Sequence, residues 1–530
     1  MRNLLDVLFQ KEIMRQPHFP DTAWLAGVVL GVALLWPVCP VAAQAPERLP
    51  IEVNSHLSEL VPVIAPDGKG LWFVRNDAAE NIGGSGMDIW YATLGNNGAW
   101  NKARNVGPPL NTVGDNYICS VTPDGQTVLV GGNYQANGQL LPGVSISQRT
   151  ANGWSKPQPL HIQNFYNTAK FAEYFLANDG RTLLLCVKRD DSYGDKDIYV
   201  SFLQKSGWWS TPLNLGSRLN STGSEVSPFL AADGVTLYFS TDGRGGEGDN
   251  DIFVTRRLDS SWARWSPPQN LGPAINTRGF DAYYTIPASG DFAYFVSTAN
   301  ESGREDIYRI PLPKPVRPKP VVLVKGRVLN SQTNTPIGAQ IRYERLKDGA
   351  AQGVANSDPT TGAYTIVLPA ESAYGFRAEA DGFIAVSDHL DATGVTEYRE
   401  ITRDLLLAPL VVGQTVRLNN IFFDFGSDTL RPESFPELQR VAGLLRDNPQ
   451  MMIQIGGHTD NVGSDQANVS LSQNRAEAVR EYLLKQGFPQ QRISARGYGR
   501  ARPIAPNDTE SGRSQNRRVE FTILAGETKP

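Results

Sequence analysis

An Asp-Gly pair followed by a short apolar run returns about every 55 residues in the first part of this chain. The pairs are Asp67-Gly68, Asp124-Gly125, Asp179-Gly180 and Asp233-Gly234, with Ser289-Gly290 as a fifth, degenerate copy. An Asp-Ile-aromatic triplet follows most of them, beginning at Asp88, Asp197, Asp251 and Asp306; the second copy has drifted to Gly143-Val144-Ser145. A unit of this length supplies three or four short strands, which can bury their faces only against the next unit. The repeats therefore predict an all-β array of five sheets.

The last repeat lacks its final strand. The other repeats continue to a tryptophan and usually to a Pro-x-Asn-Leu-Gly stretch, with Trp100, Trp154, Trp209, Trp265, Asn111, Asn220 and Asn276. The fifth stops at 306–311, whereas Arg48 to Asn54 near the N-terminus looks like the missing strand standing alone, with Asn54 matching Asn111 and Asn220. An unpaired sheet edge is unfavourable. We therefore predict that the N-terminal strand completes the fifth sheet and closes a ring of five blades.

These repeats resemble the PD40 type of WD40-like repeat, and the resemblance implies a β-propeller over residues 46–313. Propeller faces are common docking surfaces, but the fold alone assigns no partner. The acidic loops 190–197 and 247–251 are compatible with a cation site. We favour the alternative that these Asp side chains cap turns.

A proline-rich segment, 314–320, follows the repeats and is typical of a stiff extended spacer. Residues 321–410 then alternate apolar and polar positions between turns. The matching residues Gly326, Pro336-Ile337, Thr361-Gly362-Ala363-Tyr364 and Gly382-Phe383 resemble the carboxypeptidase-regulatory-like β-sandwich. Such domains are non-catalytic, so the resemblance implies a spacer module.

The pattern changes again in residues 411–526, which predict an α+β domain in the order β-α-β-α-β-β. The expected strands are 420–425, 451–455, 493–495 and 519–524. The expected helices are 432–448 and 472–486, the second with Ser472 as its N-cap and Ala476, Val479 and Leu483 facing inward. The whole chain is thus predicted to be multidomain: a five-bladed propeller, a β-sandwich and this α+β domain.

Four motifs in this last domain appear in a fixed order. They are Gly457-His458-Thr459-Asp460, Asn468-x-x-Leu471-Ser472-x-x-Arg475-Ala476-x-x-Val479, Gly497-Tyr498-Gly499 and Asn516-Arg517-Arg518-Val519. Together they resemble the OmpA C-terminal family, which includes peptidoglycan-associated lipoproteins and flagellar stator subunits. The resemblance implies non-catalytic binding of peptidoglycan. One departure is Asn474, where many members carry a second basic residue.

The ligand that the family implies is diaminopimelate, which presents an ammonium and a carboxylate on one carbon. A carboxylate and a guanidinium held close together would recognise it. The resemblance assigns these roles to Asp460 and Arg475, with Thr459, Asn468 and Arg518 shaping the pocket and Asp424 ending the strand beneath it. The alternative is that Asp460 and Arg475 pair with each other at the surface. His458 is predicted to be structural, packed under the loop.

The N-terminus predicts an export signal over 1–45, since an apolar run at 23–38 precedes small residues around Ala43 and Ala45. Met14 is an alternative start, and Cys39 raises the alternative of lipidation. Cys119 and Cys186 lie in apolar runs and are expected to be buried thiols. We expect an exported, periplasmic protein associated with the outer membrane, attached to it only indirectly or through a lipid.

Several function classes are disfavoured. A net charge of −4 over 530 residues gives no reason to expect nucleic acid as a partner. No G-x-S-x-G elbow and no histidine pattern of a metal or triad site is present, so neither an enzyme nor a metal or other cofactor is expected. Alternating ten-residue strands of a membrane pore are missing.

The expected partners are peptidoglycan and an unknown envelope protein held by the propeller; a purely protein-binding scaffold is the alternative. The domain order resembles the peptidoglycan anchor of type IX secretion, without its TPR region.

Overall fold

The computed structural model describes residues 45–135, 139–300, 302–424 and 426–525. The predicted export signal, Cys39 and both candidate starts, Met1 and Met14, lie outside these ranges. The described chain is rich in β structure up to Pro409 and ends in an α+β domain. The five-sheet region comprises β1 (Glu47–Arg48), β2 (Glu59–Ile64), β3 (Gly70–Asn76), β4 (Met87–Thr93), β5 (Arg104–Asn105), β6 (Ile118–Val121), β7 (Thr127–Tyr134), β8 (Leu140–Thr150), β9 (Gly153–Trp154), β10 (Gln158–Pro159), β11 (Glu173–Leu176), β12 (Thr182–Val187), β13 (Asp197–Phe202), β14 (Leu213–Asn214), β15 (Glu225–Leu230), β16 (Thr236–Thr241), β17 (Asp251–Arg256), β18 (Gln269–Asn270), β19 (Asp281–Thr285), β20 (Phe292–Ser297) and β21 (Asp306–Pro311).

Each repeat forms one small antiparallel sheet. The strand orders are β2-β3-β4-β5, β6-β7-β8-β10 with β9 on β8, β11-β12-β13-β14, β15-β16-β17-β18 and β19-β20-β21-β1. Neighbouring sheets share buried cores: Val74 and Val128 lie in one, and Leu184 and Phe239 in another. Phe73 of the first sheet shares a core with Val296 of the fifth. The last sheet therefore packs against the first.

The N-terminal strand joins the last sheet, as predicted from the repeat pattern. Glu47 pairs with Arg309 and Arg48 with Tyr308 in antiparallel register. The strand is shorter than expected, because 51–53 form a turn that leads to Asn54. The buried Asn54 side chain accepts a hydrogen bond from Ile307 N (2.9 Å) and donates to Ile307 O (2.8 Å) and Leu49 O (3.0 Å). Asn111, Asn220 and Asn276 clamp the isoleucine of their own sheets in the same way.

Replacing Asn54 by alanine is expected to loosen this closure. Three hydrogen bonds of a fully buried side chain are lost, which corresponds to about 3 kcal/mol. Hydrogen exchange followed by mass spectrometry should show faster exchange in β1 and β21. Asn220→Ala is the matched control, because it removes the same clamp inside one sheet and should accelerate exchange in β13 while leaving β21 protected. Unchanged protection of β21 in Asn54→Ala would refute the closing role.

The acidic loops of the five-sheet region are organised by hydrogen bonds within the protein. Asp197 Oδ2 accepts from Tyr193 N (2.9 Å) and Asn214 Nδ2 (2.8 Å), and Asp251 Oδ2 accepts from Glu247 N (2.7 Å) and Asn270 Nδ2 (2.8 Å). This geometry agrees with turn capping. In the ranges that the structure describes, no three metal-ligating side chains cluster. Cys119 and Cys186 are free thiols.

The proline-rich segment is docked on the fourth sheet rather than standing clear as a spacer. It begins with a 3-10 turn at Lys314–Val316. The Tyr238 hydroxyl donates to the carbonyl of Val316, and Lys319 N donates to Asp233 Oδ2 (2.9 Å). Extended proline-rich backbone forms no internal hydrogen bonds, so its polar groups are available to a neighbouring surface.

Two sheets of the next domain share one core, as a sandwich does. Its strands are β22 (Val321–Asn330), β23 (Gln340–Arg345), β24 (Ala350–Asn356), β25 (Ala363–Pro369), β26 (Ala373–Glu379), β27 (Phe383–Ile384), β28 (Val386–Asp391), β29 (Arg399–Thr402) and β30 (Leu405–Pro409). The domain contacts the end of the five-sheet region that carries the Asp-Gly turns, named here the turn end. Asn356 N donates to Asp124 Oδ2 (2.6 Å), and the Tyr343 hydroxyl donates to Asn178 O (3.0 Å).

The C-terminal domain packs helices against a four-stranded sheet of order β31-β34-β32-β33, in which β32 and β33 are parallel. Its elements are β31 (Thr415–Leu418), a 3-10 turn (Pro432–Ser434), α1 (Phe435–Asp447), β32 (Met452–Gly457), α2 (Asp465–Lys485), a 3-10 turn (Gln490–Arg492), β33 (Ile493–Gly497), α3 (Glu510–Asn516) and β34 (Val519–Leu524). Ala476, Val479 and Leu483 are fully buried, as predicted. Among the described residues, no helix combines the length and apolar character needed to cross a bilayer.

Three predictions about this domain were wrong. The first strand is Thr415–Leu418, because these residues pair with β34, whereas Ile421 and Phe423 pack against the core outside the sheet. Helix α2 begins at Asp465, and its N-cap is Ser464, whose hydroxyl accepts from Ala467 N (3.3 Å). Ser472 is instead buried inside that helix. The short helix α3 was not predicted, since it has hardly any apolar periodicity.

Candidate ligand-binding site of the C-terminal domain

Glycines bring the middle of α2 unusually close to the sheet. A Cβ on Gly457 would overlap the carbonyl oxygen of Ser472, and one on Gly497 would overlap Gln473 N. The Ser472 hydroxyl in turn accepts from Gly499 N (2.9 Å). Backbone therefore packs on backbone here, and the loop after β32 is held beside α2.

Asp460 lies in that loop and is 7% exposed. Its Oδ1 accepts from Val462 N (3.0 Å), and its Oδ2 accepts from Arg517 Nη1 (2.8 Å). The second guanidinium nitrogen of Arg517 donates to Glu510 (2.7 Å), and these two hydrogen bonds raise the pKa of Arg517. Asp460 is thus a fixed carboxylate that retains lone pairs for a further donor.

Arg475 projects from α2 and is half-buried. Its Nε donates to Ser427 O (3.0 Å), and its guanidinium lies 4.8 Å from the ring centre of Phe423. The pKa of Arg475 lies below its usual value. Burial and the charge of Arg517 lower it, and together they outweigh the opposite effect of Asp428 and Asp460. No carboxylate of the described chain lies within ion-pairing distance of this guanidinium. The alternative that Asp460 and Arg475 pair with each other therefore does not describe this structure.

Thr459 and Asn468 stand beside Asp460, at the end of β32 and on α2. Thr459 N donates to Gly499 O (3.0 Å), while its hydroxyl oxygen, in a residue only 5% exposed, has no hydrogen-bond partner among the described residues. Asn468 is also buried, and its Nδ2 donates to Val462 O (3.1 Å). Asn468 thus ties the Asp460 loop to the helix, and Thr459 supplies an unused hydroxyl.

Asp424 and Arg518 are placed differently from the other predicted site residues. Asp424 is exposed, in the loop before α1, where its backbone N donates to Thr429 O (3.2 Å). Arg518 is buried and donates to Glu520 Oε2 (3.0 Å) and Arg502 O (3.1 Å). Because side chains alternate along a strand, Arg518 shares a side with Glu520 and its neighbour Arg517 does not. The structure thus brings Arg517 to Asp460, a contact that sequence reasoning missed although both arginines stand in the motif.

His458 has the structural placement that was predicted. It is 1% exposed and stacks on Tyr498, with ring centres 5.1 Å apart. Its Nε2 lies 2.9 Å from Glu520 Oε1, a contact with poor hydrogen-bond geometry. Burial acts to raise the pKa of Glu520, but His458 and Arg518 hold that pKa below its usual value.

The site therefore offers an anchored carboxylate and a guanidinium with unused donors on neighbouring elements. Such a pair suits a small zwitterion better than a metal ion or an acid–base reaction. Helices packed on one four-stranded sheet define a small α+β domain. Residues 422–517 match the OmpA family, and the chain carries an OmpA family domain at its C-terminal end.

Comparison with known proteins places the similarity in this domain. The outer membrane porin F of Pseudomonas fluorescens is 41% identical over 115 residues, which cover 22% of this chain and 35% of the porin. The peptidoglycan-binding protein ArfA of Mycobacterium bovis is 42% identical over 101 residues, covering 19% of this chain and 31% of that protein. The match thus spans about a third of each relative. Among solved structures, the peptidoglycan-associated lipoprotein of Burkholderia pseudomallei is 35% identical, covering 20% of this chain and 88% of that one, with a TM-score of 0.19.

Proposed function

We propose that this chain is a non-catalytic peptidoglycan-binding protein of the bacterial envelope, whose C-terminal domain grips the diaminopimelate of the peptide stem. The observation that carries the proposal is that a buried, anchored Asp460 and an Arg475 whose terminal nitrogens have no partner in the described chain lie on neighbouring elements. The relative named for peptidoglycan binding supports the same ligand.

The chemistry of the ligand fits these groups one by one. The ammonium of diaminopimelate would donate to Asp460, and the Thr459 hydroxyl lies beside that position. The carboxylate on the same carbon would accept from the two Nη groups of Arg475, whose Nε bond to Ser427 and contact with Phe423 already fix its plane. Charge-assisted, bidentate hydrogen bonds to a partly desolvated arginine are among the stronger polar contacts in proteins.

The remainder of the chain fits an anchoring role in the periplasm, at the outer membrane. The five-sheet region is proposed to be a closed five-bladed propeller of PD40-type repeats that holds another envelope protein. The sandwich is proposed to be a regulatory-like module joining it to the cell-wall domain. Its hydrogen bonds to the turn end support a rigid connection between the two. They also leave the opposite end of the five-sheet region available to a partner.

Co-sedimentation of the whole chain with diaminopimelate-type peptidoglycan tests the proposal. Wild-type protein is expected to pellet, and Asp460→Ala is expected to weaken binding about 30-fold or more, since removing one partner of a buried charge pair costs at least about 2 kcal/mol. Glu481→Ala, which removes an exposed carboxylate from α2 in the same domain, is the control and should pellet as wild type. Peptidoglycan with lysine in place of diaminopimelate lacks the second carboxylate and should bind weakly.

Equal pelleting of Asp460→Ala and wild type would refute the diaminopimelate site. Absence of wild-type binding would refute the anchor itself, and the domain would then be a protein-binding module.

A further inference from the structure

One loop of the C-terminal domain touches both the candidate ligand site and the sandwich. This loop, residues 419–431, joins β31 to the 3-10 turn before α1 and is named here the bridging loop. An isolated β-bridge between Phe423 and Leu430 holds its two arms together, and Arg431 N donates to Phe422 O (2.9 Å). Because its own backbone hydrogen bonds connect the two arms, a displacement of one side of the loop would shift the other.

The side of the bridging loop that faces α2 supports Arg475. The carbonyl of Ser427 accepts from Arg475 Nε (3.0 Å), and the Phe423 ring centre lies 4.8 Å from the guanidinium. These two contacts fix the plane of the guanidinium, while both of its Nη groups stay without a hydrogen-bond partner in the described chain. The bridging loop thus determines where the two Nη groups point.

The opposite side of the bridging loop rests on β28 of the sandwich. The Phe422 ring meets the His389 ring edge-on, with ring centres 5.7 Å apart and an angle of 84° between the planes. Asn419 Nδ2 also donates to the carbonyl of the buried Ser387 (2.5 Å). Adjacent side chains in extended backbone point to opposite sides. Phe422 therefore reaches the sandwich, while the next residue reaches α2.

A second contact joins the same two domains, and it is charged. Arg440 of α1 donates to Glu344 Oε1 of β23 (2.9 Å) and to Glu437 Oε2 of its own helix (2.8 Å). The side chains of Arg440, Glu344 and Glu437 are only 18%, 26% and 6% exposed. Tyr343, the neighbour of Glu344 in β23, donates through its hydroxyl to Asn178 O of the five-sheet region (3.0 Å). The sandwich is therefore held against both flanking domains.

We propose that the sandwich orients Arg475 for the ligand through His389 and Phe422, which act as positioning residues. The inference rests on the proposed binding of diaminopimelate. While the sandwich is docked, Phe422 is held, the bridging loop keeps its place and the guanidinium is fixed before the ligand arrives. Such preorganisation raises affinity, because less conformational freedom is lost on binding. Without the His389 ring, the carboxylate of the ligand would have to order Arg475 itself.

Calorimetric titration of the whole chain with a soluble diaminopimelate-containing muropeptide tests the proposal. His389→Ala is expected to weaken binding about three- to tenfold, as the loss of one edge-to-face ring pair implies. His389→Phe keeps an aromatic ring against Phe422 and should restore most of the affinity. His161→Ala is the matched control, since it removes a histidine that stacks on Trp208 in the five-sheet region, and it should bind as wild type.

A double substitution shows whether His389 acts through Arg475. In an Arg475→Lys background the oriented guanidinium is already lost, so the addition of His389→Ala should weaken binding no further. Additive losses from the two substitutions would refute the positioning role. Hydrogen exchange of the free protein gives a second readout. Residues 419–431 should exchange faster in His389→Ala and at the wild-type rate in His389→Phe.

The outcomes separate this inference from the function on which it rests. Absence of muropeptide binding to the wild-type chain would refute the proposed function and the inference with it. Wild-type binding that His389→Ala leaves unchanged would refute the inference alone. A loss in His389→Ala that His389→Phe does not restore would show a structural defect of the sandwich instead of positioning, and would also overturn the inference.

Discussion

Arg475→Lys is expected to reduce the affinity of the chain for a diaminopimelate-containing muropeptide by about 30- to 100-fold, although the positive charge is retained. A free energy of about 2.1–2.8 kcal/mol corresponds to this loss. Lysine offers a single ammonium on a flexible stem and cannot form two parallel hydrogen bonds to a carboxylate. It also lacks the Nε that donates to Ser427 O and the planar group that lies over Phe423. The ammonium would therefore have to be immobilised without the supports that orient the arginine.

Calorimetry with the soluble muropeptide measures this effect, with Arg446→Lys as the matched control. Arg446 is exposed near the end of α1, so its substitution preserves charge and changes no contact of the site. Arg446→Lys should bind as wild type. If Arg475→Lys also bound as wild type, arginine would contribute only a point charge, and the bidentate geometry proposed here would be wrong.

The sequence predicted the β-rich part well wherever one pattern was repeated. Asn54 was matched to Asn111 and Asn220 from sequence alone. In the structure its side chain forms the same hydrogen bonds to an isoleucine backbone, but that isoleucine lies more than 250 residues away along the chain. A repeat reveals such a partner because the missing copy can be recognised at the other end of the chain. The docking of 314–320 on the fourth sheet left no such signal, since it depends on single contacts of Tyr238 and Asp233.

In the C-terminal domain, the motif predicted where Asp460 and Arg475 lie but not that Arg517 pairs with Asp460. Asp460 and Arg475 were placed on neighbouring elements, as the structure has them. Whether Arg517 or Arg518 reaches Asp460 depends on the phase of side-chain alternation at the start of β34, which a one-residue shift reverses. The start of α2 was missed because the polar stretch 465–471 lacks the apolar spacing by which helices are recognised.

Gly457→Ala is expected to destabilise the C-terminal domain by about 3 kcal/mol or more. Gly457 lies at the end of β32, and its added Cβ would overlap the carbonyl oxygen of Ser472 inside α2. That atom belongs to helix backbone, so no side-chain rotation relieves the overlap. The helix would have to move away from the sheet and carry Arg475 away from Asp460. Muropeptide binding should therefore fall together with stability.

Gly443→Ala provides the opposite outcome in the same domain. Gly443 lies inside α1, and a Cβ there would meet no atom within 4 Å. Alanine should stabilise the domain by about 1 kcal/mol through its higher helix propensity. Hydrogen exchange of β32 and α2, followed by mass spectrometry, isolates this domain from the rest of the chain. Equally slow exchange in Gly457→Ala and Gly443→Ala would show that the packing of α2 on β32 does not require glycine at position 457. The alignment of Asp460 with Arg475 would then depend on the Asn468 contact to the Asp460 loop instead.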